Sequence, residues 1–296
     1  MSFVADEIVT QPDLWLRAAA LATDPGVVAA LPARGARVAV VGCGTSLYMA
    51  RAWAARREEL GHGETDAFPA SEFPAARRYD HVVALTRSGT TTEIVRLVSA
   101  LAAVTPTTVL TADAALPAGA AADHAIELAF ADERSVVQTR FATTALALLR
   151  ESIGDPVEPA AEHARTELGR AVPTGLLDRR QFTFLGTGWT VGLAEEAGLK
   201  LRESAQAWAE AYPAMEYRHG PISVADAQSA VWVFGAAPDG LVAEIEQTSA
   251  TVSTSDADPM AQLVGAQRLA VALAEHRGLD PDAPRNLTRS IVLTNS

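Results

Sequence analysis

The stretch DHVVALTRSGTTTEIVR, residues 80–96, decides the fold. Its apolar run Val82-Val83-Ala84-Leu85 has the length and composition of a buried strand. The run passes directly into Thr86, Ser88, Gly89, Thr90, Thr91 and Thr92, and residues 93–101 then read as a helix. A hydroxyl-dense turn that opens a helix suits a phosphate. The first N–H groups of a helix lack internal partners, and its dipole favours an anion there. Gly89 lets the backbone come close, and the hydroxyls supply further donors.

The same device stands earlier. Residues 37–41 are strand-like, GCGTS follows at 42–46, and residues 47–60 read as a helix. A helix cap explains either turn alone. Two such turns in one half of the chain point to a shared phosphate. Neither fits a Walker loop, because no Gly-Lys-Ser/Thr is present, and neither completes the dinucleotide fingerprint.

The two halves read as distant copies. RVAVVGCGTSLYMARAW (37–53) parallels QFTFLGTGWTVGLAEEA (181–197), each a strand, a Gly-x-Gly turn and a helix. Between them, residues 154–175 are rich in Pro and Ala, with a helix expected over 160–171. Further strands are expected at 107–111, 124–128, 230–234, 248–253 and 290–294. A helical stretch at 13–31 is interrupted near Pro25-Gly26. Strands alternating with helices imply parallel sheets covered on both faces. The expected fold is therefore α/β, with two doubly wound parallel-sheet subdomains related by a pseudo-repeat. The expected boundaries are a helical segment at 1–33, a first subdomain at 34–153, a linker helix at 154–178 and a second subdomain at 179–296.

A net charge of −12 argues against nucleic acid and against an anionic membrane surface as partners. An anionic substrate must then be held by local dipoles and a few placed cations. The single cysteine allows no intramolecular disulfide and fits a reducing cytoplasm. The N-terminus lacks the pattern of a signal peptide, and no apolar run reaches membrane-spanning length. Six histidines without metal-ligand spacing give no reason to expect a metal.

The second half differs in chemistry. Its Gly186-Thr187-Gly188-Trp189 turn has fewer hydroxyls, and GAAPDG follows the strand at 230–234. Its helix instead carries Lys200, Arg202 and Glu203, and AMEYRHGP (214–221) adds Glu216, Arg218 and His219. A glutamate and a histidine are suited to moving protons at a sugar carbon and its ring oxygen. On spacing alone, Glu203 beside Lys200 and Arg202 also reads as a solvated ion-pair face.

Seven segments together resemble one family. They are GCGTS (42–46), SEF (71–73), TRSGTT (86–91), ERSVVQTRFATT (133–144), LKLRES (199–204), AEAYPAMEYRHGP (209–221) and PRNLTRS (284–290). Over nearly its full length the chain resembles double-SIS (sugar isomerase) proteins, whose subdomains are flavodoxin-like. It resembles the isomerase half of glucosamine-6-phosphate synthase, and the stand-alone amino-sugar-phosphate deaminase/isomerases and fructosamine-6-phosphate deglycases.

The resemblance implies roles. Ser46, Thr86, Ser88 and Thr91, with the backbone of Arg87, hold the phosphate, and Gly44 and Thr45 share the first turn. Glu203 shuttles a proton between C1 and C2. His219 opens the ring and in relatives reaches in from a second subunit, which implies a homodimer with shared active sites. Lys200 lies near the reacting end of the sugar, and Glu133 is an acid at the mouth of the site. Gln138 stands where the synthase has a serine. Thr86 and Thr90 depart from the usual Ser and Glu, the first keeping its hydroxyl. Arg289 replaces a lysine that forms a Schiff base in the synthase, and a guanidinium stays protonated and cannot do so. The synthase's glutamine-cleaving domain has no counterpart in the sequence, so a glutamine-dependent synthase is not expected. The implied activity is deamination and isomerisation of an amino-sugar 6-phosphate, without a cofactor. A deglycase, a plain aldose–ketose isomerase and a non-catalytic phosphosugar sensor are the alternatives.

Overall fold

The computed structural model describes residues 2–293. Three helices come first: α1 (Phe3–Val9), α2 (Gln11–Ala22) and α3 (Pro25–Ala30). Pro25 cannot continue α2 but suits the first position of α3, where Asp24 caps the N–H groups of Gly26 and Val27. An alternating run follows: β1 (Val38–Gly42), α4 (Thr45–Glu59), β2 (Thr65–Pro69), β3 (His81–Thr86), α5 (Thr92–Leu101), β4 (Thr107–Thr111), α6 (Pro117–Ala121) and β5 (His124–Glu127). Helices α7 (Arg140–Glu151) and α8 (Glu158–Leu168) lead to the second run. It consists of β6 (Gln181–Gly186), α9 (Thr190–Ala205), β7 (Trp208–Pro213), β8 (Ser229–Val233), α10 (Leu241–Glu246), β9 (Thr251–Ser253) and α11 (Pro259–His276).

The strands form two all-parallel sheets, ordered β2-β1-β3-β4-β5 and β7-β6-β8-β9. The second repeats the order of the first without its last strand, which is the expected pseudo-repeat. β1, β3 and β4 are buried along their whole length, as strands covered on both faces must be. Ala39, Val41, Val82, Ala84, Ile94 and Val109 make one core, and Leu185, Tyr217, Val231, Val233, Leu241 and Ile245 make another.

The chain divides into two compact units. The five-stranded sheet lies in a unit made of Asp13–Arg134, Gln138–Glu158 and the chain from Thr288 onward. The four-stranded sheet lies in a unit made of the chain up to Pro12, Ser135–Val137 and Pro159–Leu287. In that second unit α11 packs on α9 and α1, and Asp282 accepts from the N–H groups of Phe3 and Val4 at the start of α1.

Two strand expectations need correction. β9 begins at Thr251 rather than 248, because Ser249 takes a left-handed φ of 68° and the N–H groups of Thr248 and Ser249 close the end of α10. Residues 290–293 form no strand. The Ile291 carbonyl accepts from Thr92 N–H, and Leu293 N–H donates to Thr92 Oγ1, so this segment's hydrogen bonds go to the start of α5. Thr294, the last residue of that expected strand, lies outside the described residues.

Candidate active site

In an open parallel sheet, a ligand crevice forms at the carboxyl ends of the strands where the strand order reverses. In the first sheet that point lies between β1 and β3, and the turns leaving these strands are the two hydroxyl-bearing turns. A Cβ on Gly42 would come within 2.5 Å of the Ser46 backbone, so only glycine lets α4 start this close to β1. Gly186 meets the Thr190 backbone at the same 2.5 Å, and Gly44 and Gly188 share a left-handed φ of 56° and 58°. The repeat is thus a repeat of backbone geometry.

Ser46, Thr45 and Thr86 are buried at this turn, and Ser88 and Thr91 are half-buried. The N-caps of α4 and α5, Gly44 and Thr91, make no side-chain cap hydrogen bond. Ser88 Oγ lies 3.2 Å from Thr91 Oγ1 and accepts from Thr90 N–H at 3.3 Å. Ser290 adds a hydroxyl to this cluster, 3.2 Å from Ser88 Oγ and 2.9 Å from Thr90 Oγ1. Sequence reasoning took 290–294 as a strand and so missed Ser290. Cys43, between the two glycines, carries a free, half-buried thiol. Burial pushes it up to about 11, and the nearby Glu93 carboxylate adds to the shift.

Arg87 was expected to contribute its backbone, and its side chain has a separate task. It is 1% exposed, with Nη1 3.5 Å from Glu133 Oε2 and Nη2 donating to the Arg289 carbonyl at 3.0 Å. Burial lowers its affinity for the proton and the Glu133 charge opposes that shift. Glu133 is not at a mouth. It is 2% exposed, and its Oε1 accepts from Thr139 N–H, Thr139 Oγ1 and Arg140 N–H at the start of α7. Arg289 donates to Asp132 Oδ1 and to the Glu133 carbonyl. Gln138 has a buried amide oxygen with no hydrogen-bond partner among the described residues.

In the second unit the acid–base residues share one face of α9. Lys200 is 1% exposed, and its Nζ lies 2.5 Å from Glu203 Oε2 and 3.3 Å from Glu196 Oε1. Glu196 is also buried, and sequence reasoning missed it. The signal was its i,i+4 spacing to Lys200. The Glu203 side chain is 18% exposed and lines an open cleft of about 410 Å³.

His219 is exposed at the end of a 3-10 turn, Glu216–His219. Tyr217, fully buried, anchors the turn from below. Arg218 fixes it sideways, with Nε and Nη2 on the Glu244 carboxylate at 2.7 and 3.0 Å and Nη2 on the Asp239 carbonyl at 2.7 Å. His219 is not among the residues lining the Glu203 cleft, so these two expected partners are not brought together there. A separate cleft of about 470 Å³ beside Trp53 and His62 contains none of the expected site residues. Among the described residues, no group of three or more His, Cys, Asp or Glu is placed to hold a metal. No helix among them is long and apolar enough to cross a membrane.

No family model matches the chain. The glutamine–fructose-6-phosphate aminotransferase (isomerizing) of Sulfurisphaera tokodaii is 26% identical over 302 residues, covering 87% of this chain and 50% of the relative. The aminotransferase of the same name from Thermococcus kodakarensis is 32% identical over 166 residues, covering 46% of this chain and 27% of the relative. The chain therefore spans half or less of the length of these relatives. Among solved structures, glucosamine-6-phosphate deaminase from Thermotoga maritima superposes with a TM-score of 0.80 at 23% identity, covering 99% of this chain and all of that one. Tagatose-6-phosphate ketose/aldose isomerase from Escherichia coli gives 0.81 at 20% identity, covering 99% and 96%. The C-terminal domain of glucosamine-fructose-6-phosphate aminotransferase from Francisella tularensis gives 0.76 at 19%, covering 96% and 98%. Two parallel sheets of repeated strand order, the paired Gly-x-Gly turns and these likenesses give the chain the two-subdomain fold of double-SIS proteins.

Proposed function

We propose that this protein is a phosphosugar isomerase/deaminase that converts an amino-sugar 6-phosphate of the glucosamine 6-phosphate type to a ketose 6-phosphate and ammonia. The observation that carries this reading is Glu203. Its carboxylate is fixed at 2.5 Å by a buried ammonium, yet it borders an open cleft. A base must be both oriented and reachable by the proton it takes. The likeness to a deaminase and to aldose–ketose isomerases of 6-phosphosugars supports the same reaction class.

In the proposed reaction, the phosphate binds the turns carrying Ser46, Thr86, Ser88 and Thr91, with donors from the starts of α4 and α5. His219 assists ring opening. Glu203 takes the proton from C2 and returns it at C1, through an enolamine. The C2 imine that results adds water, and ammonia leaves. The proton returns to the neighbouring carbon, so the sugar is neither oxidised nor reduced overall and the scheme needs no redox cofactor. Arg289 stays a guanidinium bonded to Asp132, so the nitrogen arrives on the substrate rather than through an imine at this residue. The exposed position of His219, away from the Glu203 cleft, favours a site completed by a second copy in a homodimer. The single cysteine supports a cytoplasmic setting.

The test is incubation with glucosamine 6-phosphate, following ammonia and fructose 6-phosphate together. Both products should appear, and Glu203→Gln should slow the formation of both by a factor on the order of 10²–10⁴. Tight binding with no product would mark a sensor. Equal affinity for glucosamine with and without its phosphate would sink the substrate assignment.

A further inference from the structure

The cleft of about 470 Å³ beside Trp53 and His62 takes no part in the proposed reaction. It lies wholly within the five-stranded unit, and its volume is that of a small-molecule site. Val28 of α3, with Leu31 and Pro32 after that helix, gives it an apolar wall. Ile153, two residues past α7, and the buried Trp53 of α4 continue the apolar lining. The loops that carry Arg34 and His62 are pinned together. Gly35 N–H donates to the His62 carbonyl at 2.8 Å, and a Cβ on Gly63 (φ 113°) would come within 2.7 Å of the Ala36 carbonyl oxygen. The cleft is therefore held open by the backbone and needs no rearrangement to take a ligand.

Its charge is one-sided, in a chain whose net charge is −12. No Asp or Glu lines it among the described residues. The carboxylates close to it in sequence are engaged elsewhere. Glu58 accepts from Thr65 N–H at 2.6 Å, Glu59 pairs with Arg56 at 3.1 Å, and Glu151 accepts from Val157 N–H at 3.3 Å. Behind the lining lies Arg57, fully buried, with Cζ 5.9 Å from the centroid of the Trp53 ring. It donates to the carbonyls of Ala33, Ala36 and Gly63 and to the Thr65 hydroxyl, all of them uncharged. A buried guanidinium answered only by neutral oxygens leaves a positive potential around it.

Arg34 carries the second guanidinium. It is exposed and makes no hydrogen bond or ion pair among the described residues. Its Nη2 lies 3.8 Å from where a Cβ on Gly61 would stand, so that neighbour offers no side chain to cover it. The other polar groups are spent. Ser152 Oγ and Trp53 Nε1 both donate to the Leu149 carbonyl at 2.8 Å. Burial, helped by Arg34 and Arg57, lowers the His62 pKa, so this side chain adds no charge near pH 7. One free fork of donors beside an apolar wall matches one carboxylate on an aliphatic body. A polyanion would need more free donors than Arg34 supplies.

We infer that this cleft binds an aliphatic monocarboxylate of medium length, with its carboxylate on the Arg34 guanidinium and its chain against Val28, Leu31 and Ile153. The site is separate from the phosphate turns and does not depend on the reaction proposed for Glu203.

The test is calorimetric titration of wild type, Arg34→Gln and Val28→Asp with octanoate, octanamide and acetate. Wild type should bind octanoate at least about tenfold more tightly than octanamide, which lacks the charge, and than acetate, which lacks the chain. Arg34→Gln should weaken octanoate by about 5- to 30-fold, between the worth of an exposed ion pair and that of a charge-assisted hydrogen bond. It should change octanamide by less than about twofold. Val28→Asp sets a carboxylate into the apolar wall and should weaken octanoate by a similar factor. Both substituted residues are exposed, so both variants should melt close to wild type. If either unfolds, the ranking of the three ligands on wild type still decides. Saturating glucosamine 6-phosphate should leave the affinity for octanoate unchanged. Octanoate binding no tighter than octanamide or acetate, an undiminished affinity in a folded Arg34→Gln, or displacement of octanoate by glucosamine 6-phosphate would each overturn the inference.

Discussion

The first helix of each sheet carries a base and an acid at the same places. Gly42 and Gly186 stand 144 residues apart, and the same offset sets Arg56 and Glu59 of α4 against Lys200 and Glu203 of α9. Both pairs are ion pairs at i,i+3. In α4 the pair spans 3.1 Å, the glutamate is 55% exposed, and Arg56 is also held by Asp155 at 2.9 Å. In α9 the pair spans 2.5 Å, the lysine is buried, and Glu196 stands where α4 has Ala52. An exposed pair is worth little and organises little. A buried lysine between two carboxylates fixes all three groups. The same pattern is surface decoration in one helix and a candidate site in the other, and the difference is burial.

Breaking this comparison should have its largest effect at the acid. Glu203→Gln is expected to lower kcat by a factor on the order of 10²–10⁴, the usual worth of a positioned base. Glu59→Gln should leave it unchanged. Solvent deuterium should enter the sugar carbon in wild type and in Glu59→Gln but not in Glu203→Gln. Exchange at the wild-type rate in the Glu203 variant would shift attention to Glu216.

Lys200→Met comes next. It leaves Glu196 buried beside an apolar chain, and should cost about 3–5 kcal/mol in denaturant unfolding, as for one partner removed from a buried pair. The double variant Glu196→Gln with Lys200→Met should recover part of that loss. No recovery would mean that Lys200 acts by packing alone.

The turns make a third contrast. Ser88→Ala with Thr91→Ala should weaken 6-phosphosugar binding by about 1–3 kcal/mol per lost charged hydrogen bond. Thr187→Ala in the matching second-half turn should not. Calorimetric titration with glucosamine 6-phosphate separates the two.

The smallest effect is expected at Cys43, whose counterpart at the 144-residue offset is Thr187. Cys43→Thr should leave activity within about twofold, as for a packing residue outside the chemistry. The thiol is held protonated up to about pH 11 by burial. Alkylation of the folded protein should therefore be slow at pH 8 and quicken only as pH approaches that value. Fast alkylation at pH 8 would show that the pocket around Cys43 opens.

Much of the fold was legible because the central strands are continuous apolar runs that end in glycine and hydroxyl turns. β4 was read to the residue, and β1, β3, β6 and β8 to within a residue or so. The edge strands β2 (TDAFP) and β7 (WAEAYP) were missed because they are only partly buried and their polar residues dilute the apolar signal. Helix α11 was missed because it is buried nearly all round and shows little amphipathic contrast. At the candidate site, the placement of the turns and of α9 followed from local pattern. The burial of Glu133 did not, because its role depends on the N–H groups of Thr139 and Arg140 and on Arg87, across a distance that spacing does not encode. Nor did Ser290, some two hundred residues from the hydroxyls it joins.

Arg289 has one further consequence, for how the chain is made. The five-stranded unit draws its last segment from Thr288 onward, while the other unit draws its first helix from the opening residues. Arg87, just past the end of β3, donates to the Arg289 carbonyl, and Asp132 accepts from the Arg289 guanidinium. Domains usually fold in turn as they leave the ribosome. Here the five-stranded unit cannot be complete until residue 289 has left the ribosome, by which time the rest of the four-stranded unit has already emerged. The two units reach their finished states nearly together, so a nascent chain stalled before that residue should hold a first sheet that is formed but still open to protease.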